Sequence, residues 1–213
     1  MSRFYKILPS DLSYKGFQYQ EGLNTNTQCT HGFSFEDERT ILYFCDDGSV
    51  IAEVEIPENA TVYNYGVGEY KAETIILKNI RPLWNIDTIK ALAQEGVNFE
   101  TYINDMLCGA AFNGSLEAVQ YLVEQGANIH MQNDWALGSA SVKGYLDIVK
   151  YLVEQGADIH SGDDYPLRMA SVYGHFDIVK YLVEHGADIH IWNDYAFLSA
   201  KTPEIEEYLE SQN

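Results

Sequence analysis

The sequence predicts an α+β protein: a small strand-rich, mixed α+β domain over residues 1–81, then an all-α repeat solenoid over residues 82–213. Three observations carry that prediction. The segment Gly126-Ala127-Asn128-Ile129-His130 returns as Gly156-Ala157-Asp158-Ile159-His160 and as Gly186-Ala187-Asp188-Ile189-His190, a spacing of 30 residues each time. Tyr-Leu-Val-Glu stands before every copy, beginning at Tyr121, Tyr151 and Tyr181. Units that repeat at such a period cannot bury their apolar faces alone, so they stack on one another. Before residue 80, by contrast, strand-like apolar runs alternate with turn signals, and glycines and aromatics are frequent.

Composition narrows the function classes. Of 213 residues, 46% are hydrophobic, which is ordinary for a folded protein. No apolar run approaches the ~20 residues of a membrane span. Met1-Ser2-Arg3-Phe4-Tyr5-Lys6 lacks the apolar core of a signal peptide. A soluble, cytoplasmic protein is expected. The net charge of −19 is spread over both halves of the chain. Such a surface repels phosphate backbones and anionic lipid, so no nucleic acid and no membrane is expected as a partner. A protein with a basic surface is the better electrostatic match. Cys29, Cys45 and Cys108 are an odd, sparse set without a CxxC pair, which fits a reducing compartment. No metal, no cofactor and no enzymatic activity is expected, and the chain is expected to be a monomer.

In the N-terminal domain the clearest strand is Ser49-Val50-Ile51-Ala52-Glu53-Val54-Glu55-Ile56. Val50, Ala52, Val54 and Ile56 fall on one face of it. Asp46-Asp47-Gly48 supplies a turn before it, and Pro57-Glu58-Asn59 stops it. Thr61-Val62-Tyr63 and Thr74-Ile75-Ile76-Leu77 are further β-branched candidates. Residues 36–44 are read as one short helix, with Ile41, Leu42 and Phe44 apolar. Two glycine segments, Tyr14-Lys15-Gly16-Phe17 and Thr30-His31-Gly32-Phe33-Ser34-Phe35, could let backbone approach a flat ligand. The order of these features resembles the ADP-ribosyltransferase fold. That resemblance would assign its acidic residue to Glu73 and implies an alternative: an N-terminal domain that is either a catalytically inactive relative of that fold or another enzymatic domain, targeted by the repeats. His31 reads as an ordinary loop or strand histidine.

The array opens with a half-unit over residues 83–96. Ile86, Ile89 and Leu92 recur at threefold spacing and Gly96 ends the helix. Full units follow at about 97–126, 127–156 and 157–186, then a shortened C-terminal cap at 187–213. Each full unit carries two helices. The first runs over 135–143 and 165–173, with small residues inside it at Ala110-Ala111, Ala140-Ser141 and Ala170-Ser171. Asn104, Asp134, Asp164 and Asp194 stand where an N-cap would accept a bond from an orphan N–H. Gly114, Gly144 and Gly174 turn the chain back. The second helix, over 146–155 and its equivalents, points Leu146, Val149, Leu152 and Val153 inward. Glu117, Asp147, Lys150 and Glu154 read as its solvated face. In the last unit Lys201-Thr202-Pro203-Glu204 shortens the turn, and Glu206 stands where Val149 and Val179 stand. An acid at that core position gives the polar outer face a terminal unit needs.

These residues resemble ankyrin repeats. Gly-Ala-Asp-Ile-His matches the family's repeat ending. Leu167-x-x-Ala170-Ser171-x-x-Gly174-His175-x-Asp177-Ile178-Val179-Lys180-Tyr181-Leu182 matches its helical body, and the match covers residues 85–213. The family's usual unit of 33 residues is shortened here to 30 in the hairpin after the histidine. Asp134-Trp135-Ala136-Leu137 and Asp164-Tyr165-Pro166-Leu167 replace the family's Thr-Pro-Leu-His, so the hairpin fingers should be short. The 30-residue units behind a β-rich head, including Tyr43-Phe44-Cys45 and the strand at Ile51, resemble the ankyrin families of giant DNA viruses (mimivirus type). That resemblance implies host cytoplasm as the setting.

The resemblance implies a protein-interaction role, with recognition on the concave side. Positions that differ between otherwise matching units lie there. Trp135, Gly138 and Ser139 correspond to Tyr165, Arg168 and Met169, and to Tyr195, Leu198 and Ser199; the hairpin pairs Met131-Gln132, Ser161-Gly162 and Ile191-Trp192 vary likewise. Aromatic residues and arginine dominate interface energies. The candidate partner-binding residues are therefore Trp135, Tyr165, Arg168, Met169, Trp192 and Tyr195. His130, His160 and His190 form a regular column, too widely spaced to share a metal. They are expected to hydrogen-bond neighbouring loops.

Overall fold

The computed structural model describes residues 3–14, 17–25, 33–37, 50–97 and 99–212. It divides into two compact units, Met1–Met106 and Leu107–Asn213.

The first unit is built on strands β1 (Phe4–Leu8), β2 (Ser13–Tyr14), β3 (Phe17–Gln18), β4 (Gly22–Thr25), β5 (Phe33–Asp37), β6 (Val50–Glu55), β7 (Val62–Asn64), β8 (Glu69–Ala72) and β9 (Thr74–Pro82), followed by helix α1 (Ile86–Gln94). Seven of the strands form one sheet in the order β4-β9-β6-β1-β5-β8-β7, antiparallel at every pairing, while β2 and β3 make a separate hairpin. Alternation sorts the residues by face. Leu8, Phe33, Phe35, Ala52, Val54, Ala72, Ile75 and Leu77 gather with Tyr19 into an apolar core on one side, and Val50 and Ile56 pack against it. The expected inward face of β6 is thus the observed one. Of the helix expected over residues 36–44, the first two residues belong to β5, because Glu36 pairs with both Tyr5 and Glu69 in the ladder. The remainder, with Asp46-Asp47-Gly48 and Tyr43-Phe44-Cys45, lies outside the described residues.

The C-terminal end of α1 is tied to this sheet by an ionic cluster. Asn85 caps the start of α1, accepting from the N–H groups of Asp87 and Thr88. At its other end Glu95 accepts two bonds from Arg81, at 3.0 and 3.3 Å, and one from the Tyr5 hydroxyl at 3.0 Å. Burial pushes the Glu95 carboxyl up, but the bonds from Arg81 and Tyr5 outweigh it and hold it below its ordinary value. The Tyr5 hydroxyl is pushed up to about 12, by its burial first and by its bond to Glu95.

Helix α2 (Ile103–Phe112) crosses the division between the units. Asn104 lies inside its first turn. The second unit continues with α3 (Leu116–Glu124), α4 (Trp135–Lys143), α5 (Leu146–Glu154), α6 (Ser161–Tyr173), α7 (Phe176–Glu184), α8 (Ile191–Leu198) and α9 (Pro203–Glu210). They form two rows. One runs α4, α6, α8; the other runs α3, α5, α7, α9, and each helix packs on the next in its row. Ala140, Ser141, Ala170 and Ser171 are fully buried where the first row packs, as the small residues there require. In α5 the buried residues are Ile148, Val149 and Leu152, while Leu146 and Val153 are half-buried. The inward stripe therefore centres one residue away from the expected Leu146 edge. Glu117, Asp147, Lys150 and Glu154 are exposed, as expected.

The turns between the rows are set by glycine. Gly144 closes α4 at φ 84°, and a Cβ there would stand 2.6 Å from the imidazole of His175 in the next unit. The ring of Tyr145 covers Gly114 in the same way, at 2.5 Å from a Cβ position. His175 Nε2 also stands 3.0 Å from the Val142 carbonyl, so this ring links two units by packing and by a hydrogen bond. In the last unit Ile205 and Leu209 of α9 are buried, while Glu206 is exposed.

Candidate functional site

The turn after each repeated histidine has a backbone that its residues do not announce. Gln132, Asn133 and Asp134 all lie in the left-handed region, at φ 52°, 57° and 54°. Gly162-Asp163-Asp164 and Trp192-Asn193-Asp194 do the same. A left-handed L-residue costs roughly 1–2 kcal/mol, with Asn and Asp best able to adopt it. Trp192 is the one bulky side chain among these nine positions. The chain reverses within a single left-handed turn, closed by bonds such as Asp164 N–H to the His160 carbonyl at 3.2 Å.

The aspartate that ends this turn does not cap the helix after it. Asp134 occupies the position before α4 and makes no side-chain bond to that helix. A capping residue needs an extended backbone, which a left-handed residue lacks. Its Oδ1 instead accepts the backbone N–H of Asp158, in the following unit, at 3.0 Å, and lies 3.0 Å from His130 Nδ1. Asp164 repeats the arrangement, accepting from Asp188 N–H at 3.0 Å beside His160 Nδ1 at 3.1 Å. The capping expectation is corrected on this point, and so is the role of the histidines. Each imidazole holds its own unit's aspartate, and Asp134 and Asp164 in turn reach the neighbouring loop.

Asp194 ends the series. It pairs with His190 Nδ1 at 2.7 Å, and no backbone N–H of the described residues reaches its carboxylate. Its side chain is 51% exposed, against 6% for Asp134 and 4% for Asp164.

Five of the six candidate residues meet in one strip on the first-helix row. Trp135 stacks on Tyr165 with ring centroids 5.9 Å apart and planes 23° apart. The Tyr165 ring lies over Gly138, where a Cβ would come within 3.0 Å of it. Arg168 is only 6% exposed. Its Nε donates to the Asp163 carbonyl and its Nη2 to the Gly162 carbonyl, each at 2.9 Å. The guanidinium stands 4.1 Å from the Trp192 ring centroid and 5.7 Å from those of Tyr165 and Tyr195. Trp192 meets Tyr195 edge-on at 6.2 Å. Arg168 thus fastens one left-handed turn and supports the aromatic rings around it. Trp135, Trp192 and Tyr195 remain exposed, and Tyr165 is half-buried. Met169 is half-buried on α6 and joins none of these contacts.

In the first unit, Glu73 is exposed in the connection between β8 and β9. Gly16, His31 and Gly32, from the two glycine segments, lie outside the described residues. The sequence reading missed Glu36 and Lys6, which are buried on adjacent strands. Lys6 Nζ donates to the Ser34 carbonyl at 2.6 Å. Burial pushes the Glu36 carboxyl up to about 7, with Lys6 opposing and Glu69, directly across the ladder, adding to the rise. In the sequence Glu36 reads as the first residue of the helix expected over 36–44, and nothing in its neighbours distinguishes a buried acid from an exposed one.

The family model for ankyrin repeats (3 copies) matches residues 107–193. The strip from Trp135 to Trp192 and both aspartate links between units lie inside the matched segment. Among the described residues, no helix is long and apolar enough to cross a membrane.

Proposed function

We propose that the chain is a protein-interaction module, not an enzyme, and that it grips a partner protein through the strip of Trp135, Tyr165, Trp192 and Tyr195. Ankyrin repeats are generally protein–protein interaction modules, and the resemblance makes this side of the array the concave one. The observation that carries the reading is the continuity of the strip across three successive units. Its residues stand at positions where the units differ, inside a frame that is otherwise repeated. Exposed aromatic rings held in fixed orientation lose little side-chain entropy on binding, and they contribute most where they cluster. Arg168 acts as a positioning residue, since its donors are committed to the turn carbonyls.

The partner has a basic surface. The net charge of −19 favours approach by a cation-rich face and speeds the encounter. The chain acts as a monomer in the cytoplasm, that of the host cell if it is viral. Affinity capture with the full chain tests the reading. The double variant Trp135→Ala, Trp192→Ala should lose its partner by at least about tenfold in affinity. The wild-type affinity should fall as salt is raised. A partner retained equally by wild type and double variant would overturn the strip as the binding face.

A further inference from the structure

The last unit leaves open two positions that the earlier units close. We infer that the C-terminal end of the first-helix row is a docking site for a basic polypeptide segment carrying an aliphatic side chain, which binds by standing in for a further unit. The inference rests on the reading that this array binds a protein partner, and it adds where on the array a segment docks and what that segment is made of.

Two independent positions define the site. At the first, Asp134 and Asp164 each accept a backbone N–H from the residue 24 positions on, and both are buried by that neighbour. Asp194 has the same left-handed backbone and the same histidine partner, yet its carboxylate faces solvent. It is an acceptor already oriented for a peptide N–H. At the second, Gly138 is buried under Tyr165, and Arg168 is buried under Trp192. Leu198, the equivalent residue of the last unit, is 73% exposed.

The other row of helices shows what a finished end looks like in this chain. There α9 buries Ile205 and Leu209 and turns Glu206, Glu207 and Glu210 to solvent. One row is thus sealed with acids, while the row beside it ends on an exposed leucine and an unfilled acceptor. The occupant must offer a peptide N–H, which makes it a polypeptide. It must cover Leu198, which calls for an aliphatic side chain. It must also approach past Asp194 and the carboxylates of α9, which calls for lysine or arginine.

Panning a displayed library of random linear peptides against the full chain tests this, with affinities of the selected peptides then measured by fluorescence anisotropy. Selected peptides should carry Lys or Arg beside an aliphatic residue. They should lose about tenfold or more in affinity to Leu198→Ser and to Asp194→Ala, and stay within about twofold for Trp135→Ala. Both end positions are exposed, so the variants should keep the wild-type unfolding midpoint, which a thermal melt checks. Peptides that bind wild type and Leu198→Ser alike, or that discriminate without basic residues, would overturn the proposal. So would self-association of the chain that Leu198→Ser abolishes, because the occupant would then be a second copy. Loss of binding in Trp135→Ala with none in Leu198→Ser would remove the end site and leave the aromatic strip standing; failure of the strip is read separately, from the captured partner and the Trp135→Ala, Trp192→Ala double variant.

Discussion

Single residues here do different work at equivalent positions. Asp164 and Asp194 share residue type, backbone and histidine partner, and differ in whether a neighbouring N–H arrives. Asp164→Ala should therefore destabilise the array by about 1–3 kcal/mol, because it leaves a part-buried N–H unpaired. Asp194→Ala should stay within about 0.5 kcal/mol of wild type. Urea unfolding of the two variants measures the difference, and equal effects would remove the linking role. Glu36 sets a pH dependence in the strand-rich unit. Its folded pKa, about 7, lies above its ordinary value, so its stabilising contribution is complete below the ordinary carboxylate range. That contribution is lost as pH rises through about 7. The thermal midpoint of Glu36→Gln relative to wild type should accordingly be higher at about pH 8 than at about pH 5, by the equivalent of up to about 3 kcal/mol. Glu95 has the opposite sign, contributing above the ordinary carboxylate range and losing that contribution on acidification.

At the scale of elements, legibility followed locality. The limits of α4 at Trp135 and Lys143 follow from apolar spacing and a closing glycine, both contained within a few residues. The face of β6 follows from alternation alone. The left-handed turns were not legible, because the bond that sustains Asp134 comes from a residue 24 positions away. The same non-locality hid the burial of Arg168, which lies against the ring of Trp192, 24 positions further on. Glycine shows the distinction in measurable form. Gly144 and Gly156 both have positive φ, but only Gly144 lies beneath a neighbouring ring. Gly156→Ala should cost about 1 kcal/mol from backbone strain. Gly144→Ala should cost about 1–3 kcal/mol more, since the His175 ring must move. Denaturant titration of both variants checks the order, and a larger loss for Gly156→Ala would contradict it.

At the scale of the whole molecule, the chain joins two ways of burying apolar surface. The first unit closes a long-range sheet, with neighbours such as β1 and β6 far apart in sequence. The second is assembled from contacts that reach one unit along, such as Asp134 to Asp158, Tyr165 over Gly138 and His175 over Gly144. That short reach has a consequence for how such a chain can change. Duplicating an internal stretch of 30 residues would bring a complete set of these bonds with it and disturb none already present. The final unit would be carried outward unchanged, with Leu198 and Asp194 still at its tip. Length can thus change by copying the interior, while substitution at the tip alters the end alone.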